Sequence, residues 1–211
     1  MKIDIITIFP AQISSFTSEG IFRIAKDAGV DIKVHDLREW TKDKHKTVDD
    51  RPFGGGAGMV MKVEPIYDAL KDLRRKDSLV LLTSPKGKVF NSKYAKALSK
   101  KEHLIIICGH YEGVDERVKQ YLVDEEVSIG SYVLSGGELP ALVIVDALLR
   151  QIPGVLGNPE SLDEESFEDE MKSEYPQYTR PENFKGWKVP DVLLSGDHKK
   201  VNEWRTEKAV K

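Results

Sequence analysis

The chain has 211 residues, enough for one sizeable domain with a smaller companion, and its 40% hydrophobic content excludes wholesale disorder. A net charge of −3 excludes a uniformly basic nucleic-acid glue. The single Cys108 excludes an internal disulfide and points to a reduced, cytoplasmic setting. The longest apolar run, Leu139 to Leu149, is interrupted by Asp146, and the start "MKIDIITIFP" has no signal-peptide pattern, so no membrane partner is expected.

In chain order, "IDIITIF" is β-branched and alternating and predicts a strand. "IFRIAKDAG" has helical spacing and a glycine stop, and "VDIKVHDL" predicts a second strand. "PIYDALKDLRRK" and "SKYAKALSKK" predict helices, each followed by a continuous apolar run, "SLVLLTS" and "HLIIICG". Such runs mark strands covered on both faces. Helix and strand alternate, which predicts an α/β fold with a mainly parallel sheet. "EEVSI" predicts a further short strand, and "ELPALVIVDALLRQI" a helix apolar almost all round, which must be buried, with a subunit interface as one place to bury it. The composition changes near Gly157. Residues 1–157 form the first domain, 158–172 an acidic flexible linker, and 173–211 a small C-terminal domain with a helix beginning after Ser195-Gly196.

Familiar phosphate motifs are missing. No Gly-Lys-Ser/Thr tripeptide exists, and the first strand runs into "IFPAQ" where a dinucleotide loop needs spaced glycines. "GGGAGM" follows "VDDRPF", which does not read as a strand. Cys108 lacks the Arg six positions on that a phosphatase needs, since position 114 is Val, and reads as an ordinary strand residue. His45, Asp49 and Asp50 have no metal-binding spacing around them, so no metal site is assigned.

Four glycine- or proline-rich segments remain: "DDRPFGGGAGM" (49–59), "LTSPKG" (82–87), "CGHYEGVDERV" (108–118) and "SIGSYVLSGGELP" (128–140). The last three follow predicted strands, where parallel sheets bind ligands. They offer bare backbone N–H and C=O groups, suited to an adenine edge and a ribose more than to charge. Together with "QIPGVLGNPES", "YPQYTRP" and "VPDVLLSGDH", the four segments in this order resemble the bacterial tRNA (guanine-N1)-methyltransferases, and the likeness covers nearly the whole chain.

That resemblance implies a trefoil-knotted α/β domain of the SPOUT type, despite the usual rule against threaded chains. It implies a homodimer, S-adenosylmethionine bound in the knot, and a C-terminal domain that holds tRNA, not DNA. Relatives continue with more helices beyond "NEWRTEKAVK", so this helical C-terminal domain is expected to be partial. A Mg²⁺ requirement is also implied, but the sequence offers no dedicated ligand cage.

The chemistry places two demands on the protein. N1 of guanine carries a proton that a carboxylate should remove, and charge gathers on O6, which a cation should stabilise. Arg150 matches the family's arginine and is assigned to O6. The family's base is an aspartate before "SF"; this chain has "DEESF", which puts Glu165 there, with Asp163 and Glu164 as rivals. Glu112 matches an acid beside the cofactor. The family pattern assigns S-adenosylmethionine to Thr83, Ser84, Pro85, Gly109, Tyr111, Glu112, Ile129, Gly130, Tyr132, Leu134, Gly136 and Gly137. It assigns the target guanine and its neighbours to His45, Asp49, Arg51, Gly54, Gly55 and Gly58, with Lys199, Lys200 and Arg205 meeting phosphate. His110 and Ser131 depart from the family pattern, which has Arg and Asp there. The alternatives are a related enzyme acting on another RNA, and an inactive cofactor-binding or RNA-binding protein.

Overall fold

The computed structural model describes residues 1–156 and 175–209. The chain divides into two compact units, Met1–Gly157 and Asn158–Lys211. The region 158–172, with Glu165, Asp163 and Glu164, lies outside the described residues.

The first unit is an α/β layer structure. Its five-stranded sheet has the order β2 (Asp31–Asp36), β1 (Lys2–Thr7), β6 (His103–Cys108), β5 (Ser78–Val89), β7 (Glu125–Ser128). Every pairing in it is parallel. Strand β6 holds the centre, and all six of its residues are buried, as its unbroken apolar run requires. Its side chains alternate between two cores. Leu104, Ile106 and Cys108 join Ile3, Ile5 and Leu81 on one face, with Ile13, Phe22, Tyr94, Leu98 and Leu148 from helices α1 (Pro10–Thr17), α2 (Gly20–Asp27), α4 (Ser92–Leu98) and α6 (Glu138–Arg150). Ile105 and Ile107 join Ile6, Val80 and Leu82 on the other face, with Ile66 and Leu70 of α3 (Val63–Leu73) and Val118 of α5 (Glu116–Tyr121). Each of these large side chains contributes about 1.5–3 kcal/mol through burial, which makes the sandwich self-supporting.

Several elements differ from the sequence reading. Helix α1, started by Pro10 at its first turn, was not anticipated, because its one fully buried large residue, Ile13, leaves little periodic signal. "VDDRPF" does contain a strand. β3 (Asp49–Asp50) pairs antiparallel with β4 (Val60–Met61) and turns the glycine-rich stretch into a hairpin loop. Strand β5 runs past Thr83 to Val89. It is interrupted where Thr83 and Lys88 both face Val127, so residues 84–87 bulge out of the ladder. Helix α6 is buried within its own chain except for a stripe of Leu139, Val143 and Asp146.

One buried polar cluster sits at the opposite end of the sheet from the glycine loops. Asp4 is wholly buried in β1. Its carboxylate accepts from Lys2 Nζ at 2.5 Å, His35 Nε2 at 2.8 Å and His103 Nε2 at 2.7 Å. Burial pushes the Asp4 carboxyl up, but the hydrogen bonds from His35, Lys2 and His103 outweigh this and hold it well below the usual carboxylate range.

In the second unit the hairpin of β8 (Asn183–Phe184) and β9 (Trp187–Lys188) precedes two helices, α7 (Asp191–Leu194) and α8 (His198–Lys208). Asp197 caps α8 by accepting from the Lys199 and Lys200 amides.

Candidate active site

Three loops, one bulging from the middle of β5 and two leaving the carboxyl ends of β6 and β7, converge on one cleft of about 280 Å³. They are the bulge 84–87, the turn 109–115 and the stretch 129–137. Thr83, at the end of the first limb of β5, organises their roots. Its hydroxyl donates to the Ile107 carbonyl and accepts from the Gly109 amide, both at 3.2 Å. The Gly137 amide in turn donates to the Gly109 carbonyl at 2.7 Å. A Cβ at Gly137 would lie 2.0 Å from Thr83 Oγ1, 2.6 Å from the Gly109 nitrogen and 2.8 Å from the Cys108 Cα, so only glycine lets these chains pass.

All twelve residues that the sequence assigned to a cofactor line this cleft: Thr83, Ser84, Pro85, Gly109, Tyr111, Glu112, Ile129, Gly130, Tyr132, Leu134, Gly136 and Gly137. The cleft offers backbone polar groups, apolar side chains and the aromatic rings of Tyr111 and Tyr132. Of its two lysines, Lys119 is held by Glu126 at 3.1 Å and Glu116 at 3.3 Å, and Lys86 is exposed. The donor set fits a nucleoside that carries positive charge rather than phosphate. Tyr111 adopts φ 59°, a left-handed backbone rare for a bulky side chain and found where function holds it.

The hairpin loop 51–58 meets the cleft at its mouth. Glu112 donates its amide to the Met59 carbonyl at 3.0 Å, and a Cβ at Gly58 would lie 2.4 Å from Glu112 Cγ. Asp49 acts on the Tyr111 hydroxyl: burial first, then the Asp49 carboxylate and its hydrogen bond, push the phenol up, against Arg38. Asp49 and Gly58 therefore lie against Tyr111 and Glu112, two residues that line the cleft. Arg51, Gly54 and Gly55 lie on the exposed outer loop beside Phe53, which is fully exposed. His45 is exposed in a turn tied by the Asp43 carboxylate, which accepts from the His45 and Thr47 amides at 2.9 Å.

Arg150 is half-buried at the last turn of α6, on the same stripe as Leu139, Val143 and Asp146. It stands twelve residues from Glu138, about 18 Å along the helix from the end that touches the cleft. Within one chain it is not gathered with Glu112. In the second unit Lys200 pairs with Asp197 at 3.3 Å, and the Arg205 guanidinium lies 4.7 Å from the Tyr175 ring centre.

The sequence reading gave no role to Glu138, Thr7 or Arg38. Glu138 is 3% exposed and accepts the Thr7 hydroxyl at 2.6 Å. No periodic signal marks a buried acid in the first turn of a helix, where acids are common anyway. Arg38 reaches the Ile8 carbonyl and Asp36. Cys108 is fully buried, and burial followed by the Glu138 charge pushes its thiol well up, which makes it a poor nucleophile. Among the described residues no group of three or more His, Cys, Asp or Glu is arranged to hold a metal ion. Nor is any described helix long and apolar enough to cross a membrane.

Comparison with known proteins agrees over the full length. Residues 1–211 match the family described as tRNA (Guanine-1)-methyltransferase TrmD. A tRNA (guanine-N(1)-)-methyltransferase of Dictyoglomus turgidum is 57% identical over all of this chain and 86% of its own length. Its counterpart in Carboxydothermus hydrogenoformans is 53% identical, covering 100% of this chain and 83% of that protein. That of Clostridioides difficile is 50% identical, with 100% and 93% covered. The chain belongs to the tRNA (guanine-1)-methyltransferase TrmD family.

Proposed function

We propose that this protein transfers a methyl group from S-adenosylmethionine to N1 of the guanine at position 37 of tRNA, beside the anticodon. Family membership supports the reaction class. The observation that carries the site is the convergence of three glycine-rich loops from β5, β6 and β7, with the Asp49–Gly58 loop closing against Glu112.

S-adenosylmethionine supplies an electrophilic methyl on a sulfonium, a good leaving group, so the protein need not activate it. Thr83, Gly109, Gly136 and Gly137 hold the loop roots together, Ile129 to Leu134 form the wall, and the paired state of Lys119 keeps free positive charge away from a cationic ligand. In this reading Glu165 takes the N1 proton and Arg150 stabilises O6. Glu112 and Asp49 orient the guanine at the mouth of the cleft. Proton removal at N1 coincides with methyl arrival, so charge balances with the proton on the carboxylate.

Arg150 lies about 18 Å along α6 from the cleft end of its own helix. Its contribution therefore comes from a second copy, and the homodimer is part of the site. The exposed stripe Leu139, Val143, Asp146 and Arg150 supports this, because two large apolar residues there otherwise stay in water. A trefoil knot accounts for chains crossing as closely as Gly137 and Gly109 do. The second unit, with Lys199 and Lys200, holds the tRNA in the cytoplasm.

The test mixes the protein with methyl-labelled S-adenosylmethionine and tRNA transcripts carrying G or A at position 37. Label should enter the G transcript alone. Equal labelling of both, or of neither, contradicts the reading.

A further inference from the structure

A polar contact at the back of the cleft is left open. Glu138 Oε1 accepts from Thr7, but Oε2 lies 3.9 Å from His110 Nδ1, beyond hydrogen-bond distance. That nitrogen is buried and has no hydrogen-bond partner among the described residues. The His110 ring is held edge-on between Phe9 and Tyr111, with ring centres 5.1 and 4.9 Å away. Gly136 flanks the gap between the two groups. A Cβ at Gly136 would lie 2.3 Å from Glu138 Oε2 and 2.5 Å from His110 Nδ1. The backbones of His110 and Gly136 already form a β-bridge, and these residues belong to opposite walls of the cleft.

A buried nitrogen facing a buried carboxylate oxygen is costly while the two stay apart, and a shift of about 1 Å would bring them to bonding distance. We propose that His110, as its Nδ1–H tautomer, is a positioning residue. It donates to Glu138 as the cleft closes on its ligand and holds the walls 109–113 and 130–137 at the spacing the methyl donor needs. Its surroundings supply that acceptor. Glu138 is the acid presented by α6, Cys108 ends β6 with its thiol pushed up, and Thr7 and Phe9 bring no charge from the β1 side. The proposal rests on the reading that the cleft binds S-adenosylmethionine.

Titration calorimetry with S-adenosylmethionine tests it on the full chain. His110→Phe keeps the ring packing but removes the donor, and should weaken binding about tenfold. His110→Asn puts an amide nitrogen where Nδ1 stands and should stay within about threefold of the unmodified protein. In a Glu138→Gln background, His110→Phe should cost less than about threefold, because its partner has changed. Should Glu138→Gln fail to fold, the comparison of Phe with Asn decides alone. Wild-type affinity in His110→Phe, or an Asn variant as weak as Phe, overturns the positioning role while leaving the methyl-donor reading intact. Failure of the unmodified protein to bind overturns the methyl-donor reading and this proposal with it.

Discussion

Gly137 shows how much of the site is decided by the absence of a side chain. An added Cβ would meet backbone atoms of Gly109 and Cys108, which cannot swing aside as a flexible side chain would. Gly137→Ala should therefore lower stability by about 1–3 kcal/mol, the range for overpacked cores, and abolish S-adenosylmethionine binding in calorimetry. An alanine variant that binds normally would mean the loops are not locked at this crossing. Asp4 makes a separate prediction at the far end of the sheet. Its carboxyl is held well below the usual range in the folded protein, so it binds protons more weakly there than in the unfolded chain. Its contribution is thus fully present above about pH 4, the unfolded value, and is lost as pH falls below that. Asp4→Asn should destabilise the protein at pH 7 by about 3–5 kcal/mol, because it removes the buried charge and turns one of the two acceptor oxygens shared by His35, His103 and Lys2 into an NH₂ donor. It should also flatten the loss of stability between about pH 4 and 2, followed by urea unfolding.

At the scale of elements, helix α6 links the cleft to the exposed stripe. Its N-terminus supplies Pro140 to the cleft and buries Glu138 behind it, while Leu139 and Val143 are 54% and 46% exposed. Val143→Glu should convert a dimer of twice 23.8 kDa into a monomer in analytical ultracentrifugation. An unmodified protein that sediments as a monomer would contradict the shared site. The long elements were legible because their signals are strong. β5 and β6 carry unbroken apolar runs, and α3 and α4 have clear helical spacing. The short ones were not. Two-residue strands such as β3 and β4 have no periodicity of their own and exist because Met61 bonds across to Gly113 and Asp115. The bulge at 84–87 depends on β7 pairing with both limbs of β5, a long-range event that no local pattern encodes.

For the whole molecule, the cleft loops were legible because three glycine- or proline-rich segments follow parallel strands and so meet at one edge of the sheet, whereas the residues within them were assigned to the methyl donor only through the family resemblance. What pattern could not give was distance. Arg150 and Glu138 belong to one helical segment, yet the helix holds them about 18 Å apart, which is why the proposed reaction draws Arg150 from a second copy. Glu165→Gln should reduce methyl transfer by about 10²–10⁴-fold, as for loss of a general base, with S-adenosylmethionine affinity within about threefold. Arg150→Ala should lower transfer by about 10²-fold or more with similarly little effect on affinity. Activity that survives in Glu165→Gln assigns the base elsewhere. In the proposed reaction the cleft delivers methyl to N1 of one guanine. Digesting tRNA after reaction and identifying its nucleosides by mass spectrometry tests it most directly. 1-Methylguanosine should appear at position 37 of the G transcript and not in the A transcript. Methyl found on another atom or at another position, or none at all from folded, donor-binding protein, would overturn it.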